Sequence, residues 1–170
     1  MTRLFPLAAL ALPFLLVGCG DTDPAPTPTA APKAAAWRLG AAPADAEGVA
    51  AVKASAAEGD RVTMVGRIGG RPEPVSPESG LLVVMDPALP SCAEMPDENC
   101  ATPWDYCCET PEAVTANAAT VQVRDAAGEP VVLDAAAFPP LATVSVTGTV
   151  GPRPNDGVLV VLADAVHVQP

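Results

Sequence analysis

Aromatic side chains are scarce in this sequence: among 170 residues there are three Phe, two Trp and one Tyr. The hydrophobic content is 49%, much of it alanine, so the core must be built mainly from Val, Leu and Ala. The valines stand in short runs, which favours strands over helices. The same shortage leaves few of the aromatic platforms that hold sugars or unstacked bases.

Basic residues and histidine are also few. Nine Lys and Arg stand against 20 Asp and Glu, and a surface of that sign repels phosphate backbones, so we expect no nucleic-acid partner. The single histidine, His167, alternates with two valines and is expected to point outward. It leaves no catalytic triad of the usual kind, and there is no Gly-rich phosphate loop. The sequence therefore predicts a protein that is not an enzyme and holds no cofactor.

The first 19 residues have the order of an export signal. Met1–Arg3 is short and basic, and Leu4–Val17 is apolar but too short to span a bilayer comfortably. The segment then ends in Leu-Val-Gly-Cys19, which resembles the lipobox of bacterial lipoproteins. That resemblance implies that residues 1–18 are a signal peptide and that acyl chains on Cys19 anchor the protein to a membrane. The mature domain would then lie in the cell envelope, in the periplasm or outside the cell.

Residues 19–43 are interpreted as the lipidated cysteine and a tether. The stretch 21–36 contains four prolines among small residues, a composition that favours extended polyproline II over packed structure. At about 3.1 Å per residue it could hold a domain roughly 50 Å from the bilayer. Residues 44–59 are predicted to be a short helix of about three turns over 45–58, because this alanine-rich stretch has valines at helical spacing.

Residues 60–170 carry short apolar runs separated by Gly, Pro and Asp, which is typical of an all-β domain. The segment 135–141 contains two prolines and can hold at most a turn of helix. In 143–150 the alternation places Val144, Val146, Gly148 and Val150 on one face. The strands are predicted at 61–68, 81–85, 120–124, 131–133, 143–150, and 158–162 continuing to 165–168 with a bend near Ala163-Asp164.

Two of these runs share a pattern with a glycine in mid-strand. Val62, Met64, Gly66 and Ile68 stand at alternate positions, and 144–150 repeats the arrangement. This order of strands resembles the OB-fold, the oligonucleotide/oligosaccharide-binding barrel, and implies a small five-stranded barrel whose glycines permit sharp bending. A small open β-sandwich is the alternative. The chain lacks the basic and aromatic residues of nucleic-acid-binding members, so no binding residues are carried over.

A cysteine-rich segment, residues 88–117 (the Cys loop), is inserted between predicted strands two and three. The spacing is C-x7-C-x6-C-C, and four thiols in an exported protein are expected to be paired. A bond between the adjacent pair would be strained. That leaves Cys92–Cys107 with Cys100–Cys108, or Cys92–Cys108 with Cys100–Cys107. Trp104 and Tyr106 also lie here, as candidate ligand contacts or as a small core, with Trp104 packed over the disulfides.

We interpret the domain as a non-catalytic binding or scaffolding module. Its barrel loops and the Cys loop would contact an envelope protein, a peptide or a glycan. The alternative is a thiol module, in which the cysteines bind zinc or cuprous ions or in which Cys107 and Cys108 switch between dithiol and disulfide. The absence of a C-x2-C pair disfavours metal and thioredoxin-like chemistry, so no metal ligand is predicted. The oxidation state of the thiols separates the two interpretations.

Overall fold

The computed structural model describes residues 36–96 and 99–169. The predicted signal peptide, Cys19 and most of the tether lie outside the described residues. In the described part, no helix is both long enough and apolar enough to cross a bilayer. The elements are β1 (Glu47–Gly48), α1 (Val49–Ser55), β2 (Arg61–Ile68), β3 (Val75–Ser76), β4 (Leu81–Met85), α2 (Pro111–Asn117), β5 (Ala118–Val123), β6 (Thr143–Val150) and β7 (Val160–Gln169).

Five of the strands close into a barrel. The long strand β2 is antiparallel to β6 along its length and to β4 at its end, through Arg67↔Met85 and Ile68↔Val84. β4 is antiparallel to β5, β5 is parallel to β7, and β7 is antiparallel to β6. The ring β2-β4-β5-β7-β6-β2 therefore has no free edge, and this order is compatible with an OB-like fold.

The barrel interior is filled by the residues that alternate inward along each strand. The predicted face of β6 is confirmed, since Val144, Val146, Gly148 and Val150 are all buried. Each fully buried valine or leucine contributes roughly 1.5–3 kcal/mol by leaving water. The buried core is largely aliphatic; its members are Val49, Val52, Met64, Ile68, Leu82, Val84, Ala119, Val121, Val123, Leu133, Phe138, Ala142, Val144, Val146, Val150, Leu159, Val161, Ala163 and Val166.

The bend predicted near Ala163-Asp164 is present as a bulge inside one continuous strand. Thr147 pairs with Ala165 and Gly148 pairs with Ala163, so Asp164 has no partner in β6. A Cβ on Gly148 would collide with the backbone of Leu162 and Ala163. This mid-strand glycine therefore permits the close approach that bends the barrel wall.

Two helix predictions need correction. The first helix is α1, about two turns long, rather than the predicted three turns over 45–58. It begins late because Glu47 and Gly48 are extended and pair with β2, and it ends at Ser55 because Ala56 is extended. The second helix, α2, lies within the segment predicted to be only a loop. Its start has a recognisable signal, because Thr110 Oγ1 accepts a hydrogen bond from the Ala113 N–H (3.2 Å).

The predicted strand 131–133 is wrong. Only an isolated bridge between Arg124 and Pro130 forms there. Pro130 has no N–H to donate to a ladder, and the Leu133 N–H donates instead to Pro77 O (3.1 Å). The short turn of 3-10 helix at Ala135–Ala137 agrees with the expectation for the proline-containing stretch.

The end of the predicted tether contacts the barrel. The Val166 N–H donates to Trp37 O (2.7 Å), and the Leu39 N–H donates back to Val166 O (2.9 Å). Trp37 also stacks on Phe138, with 6.3 Å between ring centroids. His167, next to the buried Val166 on β7, is half-buried, and its Nδ1 lies 3.1 Å from Leu39 O. Residues 37–39 of the predicted tether therefore pack on the barrel.

Candidate functional site

The Cys loop brings the four predicted cysteines together. Cys92 and Cys108 form a disulfide with a Cα–Cα distance of 6.1 Å. Cys100 Sγ lies 3.2 Å from Cys107 Sγ, and Cys107 Sγ lies 3.9 Å from Cys92 Sγ. The Cys92–Cys108 bond belongs to the second of the two connectivities left open by the sequence. The other two cysteines are neighbouring thiols, with Cys107 exposed and Cys100 half-buried.

The first turn of the Cys loop is fixed to the barrel by Arg67 of β2. Its guanidinium forms an ion pair with Glu94 and donates to the carbonyls of Pro87 (3.0 Å) and Leu89 (2.8 Å). The Glu94 carboxylate also accepts the Ser91 N–H and hydroxyl, both at 2.8 Å. The Ser91 backbone hydrogen bond first, and then the Ser91 hydroxyl and Arg67, hold the pKa of Glu94 below its usual value.

A second carboxylate organises the turn before the paired cysteines. Asp105 accepts hydrogen bonds from Thr102 Oγ1 (2.6 Å) and from the Cys107 N–H (2.9 Å). Burial alone would raise the pKa of Asp105, but these hydrogen bonds outweigh it and lower the pKa. With both thiols free, the hydrogen bond that the Cys107 thiol shares with Cys100, followed by the one that it donates to the Asp105 carboxylate, raises the pKa of Cys107 to about 12. A free Cys107 is therefore protonated at neutral pH and is a poor nucleophile.

The two aromatic residues of the loop have different surroundings. Tyr106 is only 1% exposed and adopts a left-handed backbone with φ 59°. Its hydroxyl is buried without a hydrogen-bond partner in the described residues, and burial raises its pKa. Trp104 is half-buried and donates its indole N–H to Pro72 O (2.9 Å). Tyr106 thus fills the inside of the loop, whereas Trp104 attaches the loop to its neighbour.

The segment that follows β2 contacts the loop through a glycine, Gly69. A Cβ on Gly69 would lie 2.5 Å from Trp104 O and 3.0 Å from the Tyr106 ring. The Gly70 N–H donates to the same Trp104 carbonyl (2.8 Å). The glycine pair therefore allows loop and barrel to meet at backbone distance. A pair of glycines in the sequence indicates a turn or a close approach but does not identify the packing partner.

A metal ion would find donor atoms in this cluster. One sulfur or carboxylate atom each from Cys92, Cys100, Asp105 and Cys107 lies within 4.8 Å of the others. The Cys92 sulfur is bonded to Cys108, however, so it can supply a thiolate only after reduction. His167 is not among these donors; it lies on β7 against Leu39.

Comparison with known proteins adds no identity. No protein-family model matches the chain, and neither a curated protein nor a solved structure does. The function has to be inferred from the chain's own residues, and the stapled loop on a closed barrel is the feature that the inference must explain.

Proposed function

We propose that the protein is a lipid-anchored lipoprotein of the cell envelope whose OB-like barrel is a non-catalytic binding or scaffolding domain. Acyl chains on Cys19 hold it to the membrane, and the Cys loop is its contact surface for an envelope protein, peptide or glycan. The observation that carries the proposal is the attachment of the loop to the barrel through one disulfide, the Arg67 contacts and the Trp104–Pro72 hydrogen bond. A surface ordered before contact loses less conformational entropy on binding.

The strand order supports the OB-like part of the proposal. β2 pairs with β6 along its length and with β4 at its end, and the ring is completed by the β4–β5, β5–β7 and β6–β7 pairs, which is compatible with the small five-stranded barrel that the resemblance implied. In that order the Cys loop is the connection between the second and third barrel strands. The acidic composition argues against nucleic acid as the ligand, since the chain carries 20 Asp and Glu against nine Lys and Arg.

A second disulfide, Cys100–Cys107, completes the stapled loop. The two sulfurs are already 3.2 Å apart, so a small displacement brings them to bonding distance. Formation of this bond releases two protons and transfers two electrons to a disulfide-bearing oxidant of the exported compartment. It also removes an exposed thiol, Cys107, from the surface. Both disulfides together would hold a loop that contributes little to the apolar core.

A thiol module is the second candidate, and one observation favours it. Three cysteine sulfurs and the Asp105 carboxylate lie close enough to share one soft cation in the reduced protein. The raised pKa of Cys107 opposes this function, because metal binding would have to displace a firmly held proton. The two candidates therefore differ in the oxidation state of the same four residues.

The experiment is intact-mass analysis of the full chain purified from membranes, alkylated with and without prior reduction, with a parallel metal assay. We expect an acylated N-terminus at Cys19, four alkylations in the loop only after reduction, and no stoichiometric metal. Alkylation without reduction, or one metal per chain, would overturn the binding-module proposal in favour of the thiol module. A mature chain beginning at an unmodified residue would overturn the lipid anchor.

A further inference from the structure

A cleft of about 920 Å³ opens between α1 and α2, within the size range of small-molecule sites. Its walls are small and apolar, being formed largely by Ala50, Ala54, Pro111 and Ala116. The loop between β6 and β7 closes one side with Arg153, Asp156 and Gly157. The cleft shares none of its lining with the cysteine cluster, so it is a separate feature of the molecule.

Two cations lie at this side of the cleft. Lys53 is 8% exposed, and its ammonium donates to Thr115 O (2.5 Å) and Gly157 O (3.1 Å). Arg153 donates to four carbonyls, those of Lys53, Ala56, Asp156 and Val158. An ammonium has three N–H groups and a guanidinium has five, so each cation keeps one donor that these bonds do not use.

Neither cation has a carboxylate partner. Across the described residues the ion pairs join other groups, Arg61 with Asp164 and Arg67 with Glu94. Asp156 offers Arg153 only its backbone carbonyl, and Glu112 on α2 is exposed. Burial first, and the nearby Arg153 second, lower the pKa of the Lys53 ammonium. Two unneutralised cations side by side are unusual in a chain with a net charge of −11.

We propose that the α1–α2 cleft binds a small organic carboxylate, with its apolar body against the alanines and its carboxylate on Lys53 and Arg153. A carboxylate provides the missing negative charge and accepts the two unused N–H donors, which makes the hydrogen bonds charge-assisted. The alanine walls leave room for an aliphatic chain or a single ring. The site uses α2, at the end of the Cys loop, but none of the loop's cysteines, so it is tested separately from the function proposed for the disulfide-bonded part of that loop.

The test is a titration of the full chain, labelled at alanine methyl groups, with 3-phenylpropionate followed by NMR. The neutral 3-phenylpropionamide is the matched probe, because it keeps the ring and chain and lacks the charge. We expect saturable shifts concentrated on Ala50, Ala54, Ala56 and Ala116, and at least tenfold weaker binding of the amide. Equal binding of the two probes, or no saturable shift with either, would overturn the proposal.

Variants at exposed positions locate the site without touching the buried lysine. Ala54→Trp fills the cleft and should weaken carboxylate binding at least tenfold, whereas Ala51→Trp, also exposed on α1 but outside the cleft, should not. Glu112→Gln removes a negative charge from the rim and should strengthen binding two- to threefold. Binding that survives Ala54→Trp unchanged places the ligand elsewhere and overturns the assignment, provided that the melting temperatures of the variants match.

Discussion

The barrel and the Cys loop are stabilised by different physical means. The barrel encloses a contiguous cluster of buried aliphatic side chains. Among the described residues of the loop, the only buried hydrophobic ones are Cys92 and Tyr106, and neither belongs to that cluster. Covalent and polar contacts hold the loop instead. The barrel's aliphatic core is therefore complete without side chains of the loop.

The largest expected effect comes from the aliphatic cluster. Phe138→Ala removes a ring that is 1% exposed and stacked on Trp37, so it should lower the free energy of unfolding by about 3–5 kcal/mol. Val132→Ala, in the same connection between β5 and β6 but 67% exposed, is the control and should change it by less than about 0.5 kcal/mol. Urea unfolding monitored by circular dichroism measures both. Equal effects would contradict the core assignment.

Removal of the Cys92–Cys108 disulfide should affect the loop more than the barrel. The bond closes a separation of 16 residues, so Cys92→Ala with Cys108→Ala should lower the free energy of local unfolding of the loop by about 3 kcal/mol. Limited proteolysis should then cut within 88–110, while the far-ultraviolet spectrum of the strands is retained. A variant whose strands unfold together with the loop would show that barrel and loop form one cooperative unit and are not stabilised separately.

This difference between barrel and Cys loop also explains which features of each could be predicted from the sequence. The barrel strands follow from a period-two pattern of valines, because alternation in sequence directly reports burial on one face. The prediction of a strand at 131–133 was wrong because a run of three apolar residues after Pro130 does not show which groups their backbone will hydrogen-bond. In the loop, composition indicated cross-linking but could not choose between two connectivities. That choice depends on distances set by Arg67 and Gly69, which are far from the cysteines in sequence.

A smaller effect should appear on acidification. The folded pKa of Glu94 is lowered, so its contacts stabilise the loop above the unfolded pKa of about 4.3 and are lost as pH falls through the folded value. The exposed position of the carboxylate limits the loss to about 1 kcal/mol or less. The Ser91 amide proton shift, measured between pH 6 and about 2, should titrate in the wild type and stay flat in Glu94→Gln. If the Ser91 amide proton shift of the wild type does not change with pH, Glu94 does not hold the loop through Ser91.

The smallest effect should come from the exposed ion pair on the barrel wall. Arg61 and Asp164 form a bidentate pair with side chains 56% and 49% exposed, whereas the Arg67 side chain of the loop's pair is only 15% exposed. A double-mutant cycle with Arg61→Ala and Asp164→Ala should give a coupling of about 0.2–1 kcal/mol that shrinks in 1 M salt.

The matching cycle on Arg67 and Glu94 should give a larger coupling that salt screens less, because Arg67 is shielded from solvent and also holds two loop carbonyls. A larger, salt-resistant coupling at Arg61–Asp164 would mean that the bulge at Asp164 depends on its charge. The barrel would then share the loop's reliance on polar contacts. With the expected order, ion pairing matters most where the apolar core is absent, and the loop's geometry depends on a charge that the barrel can do without.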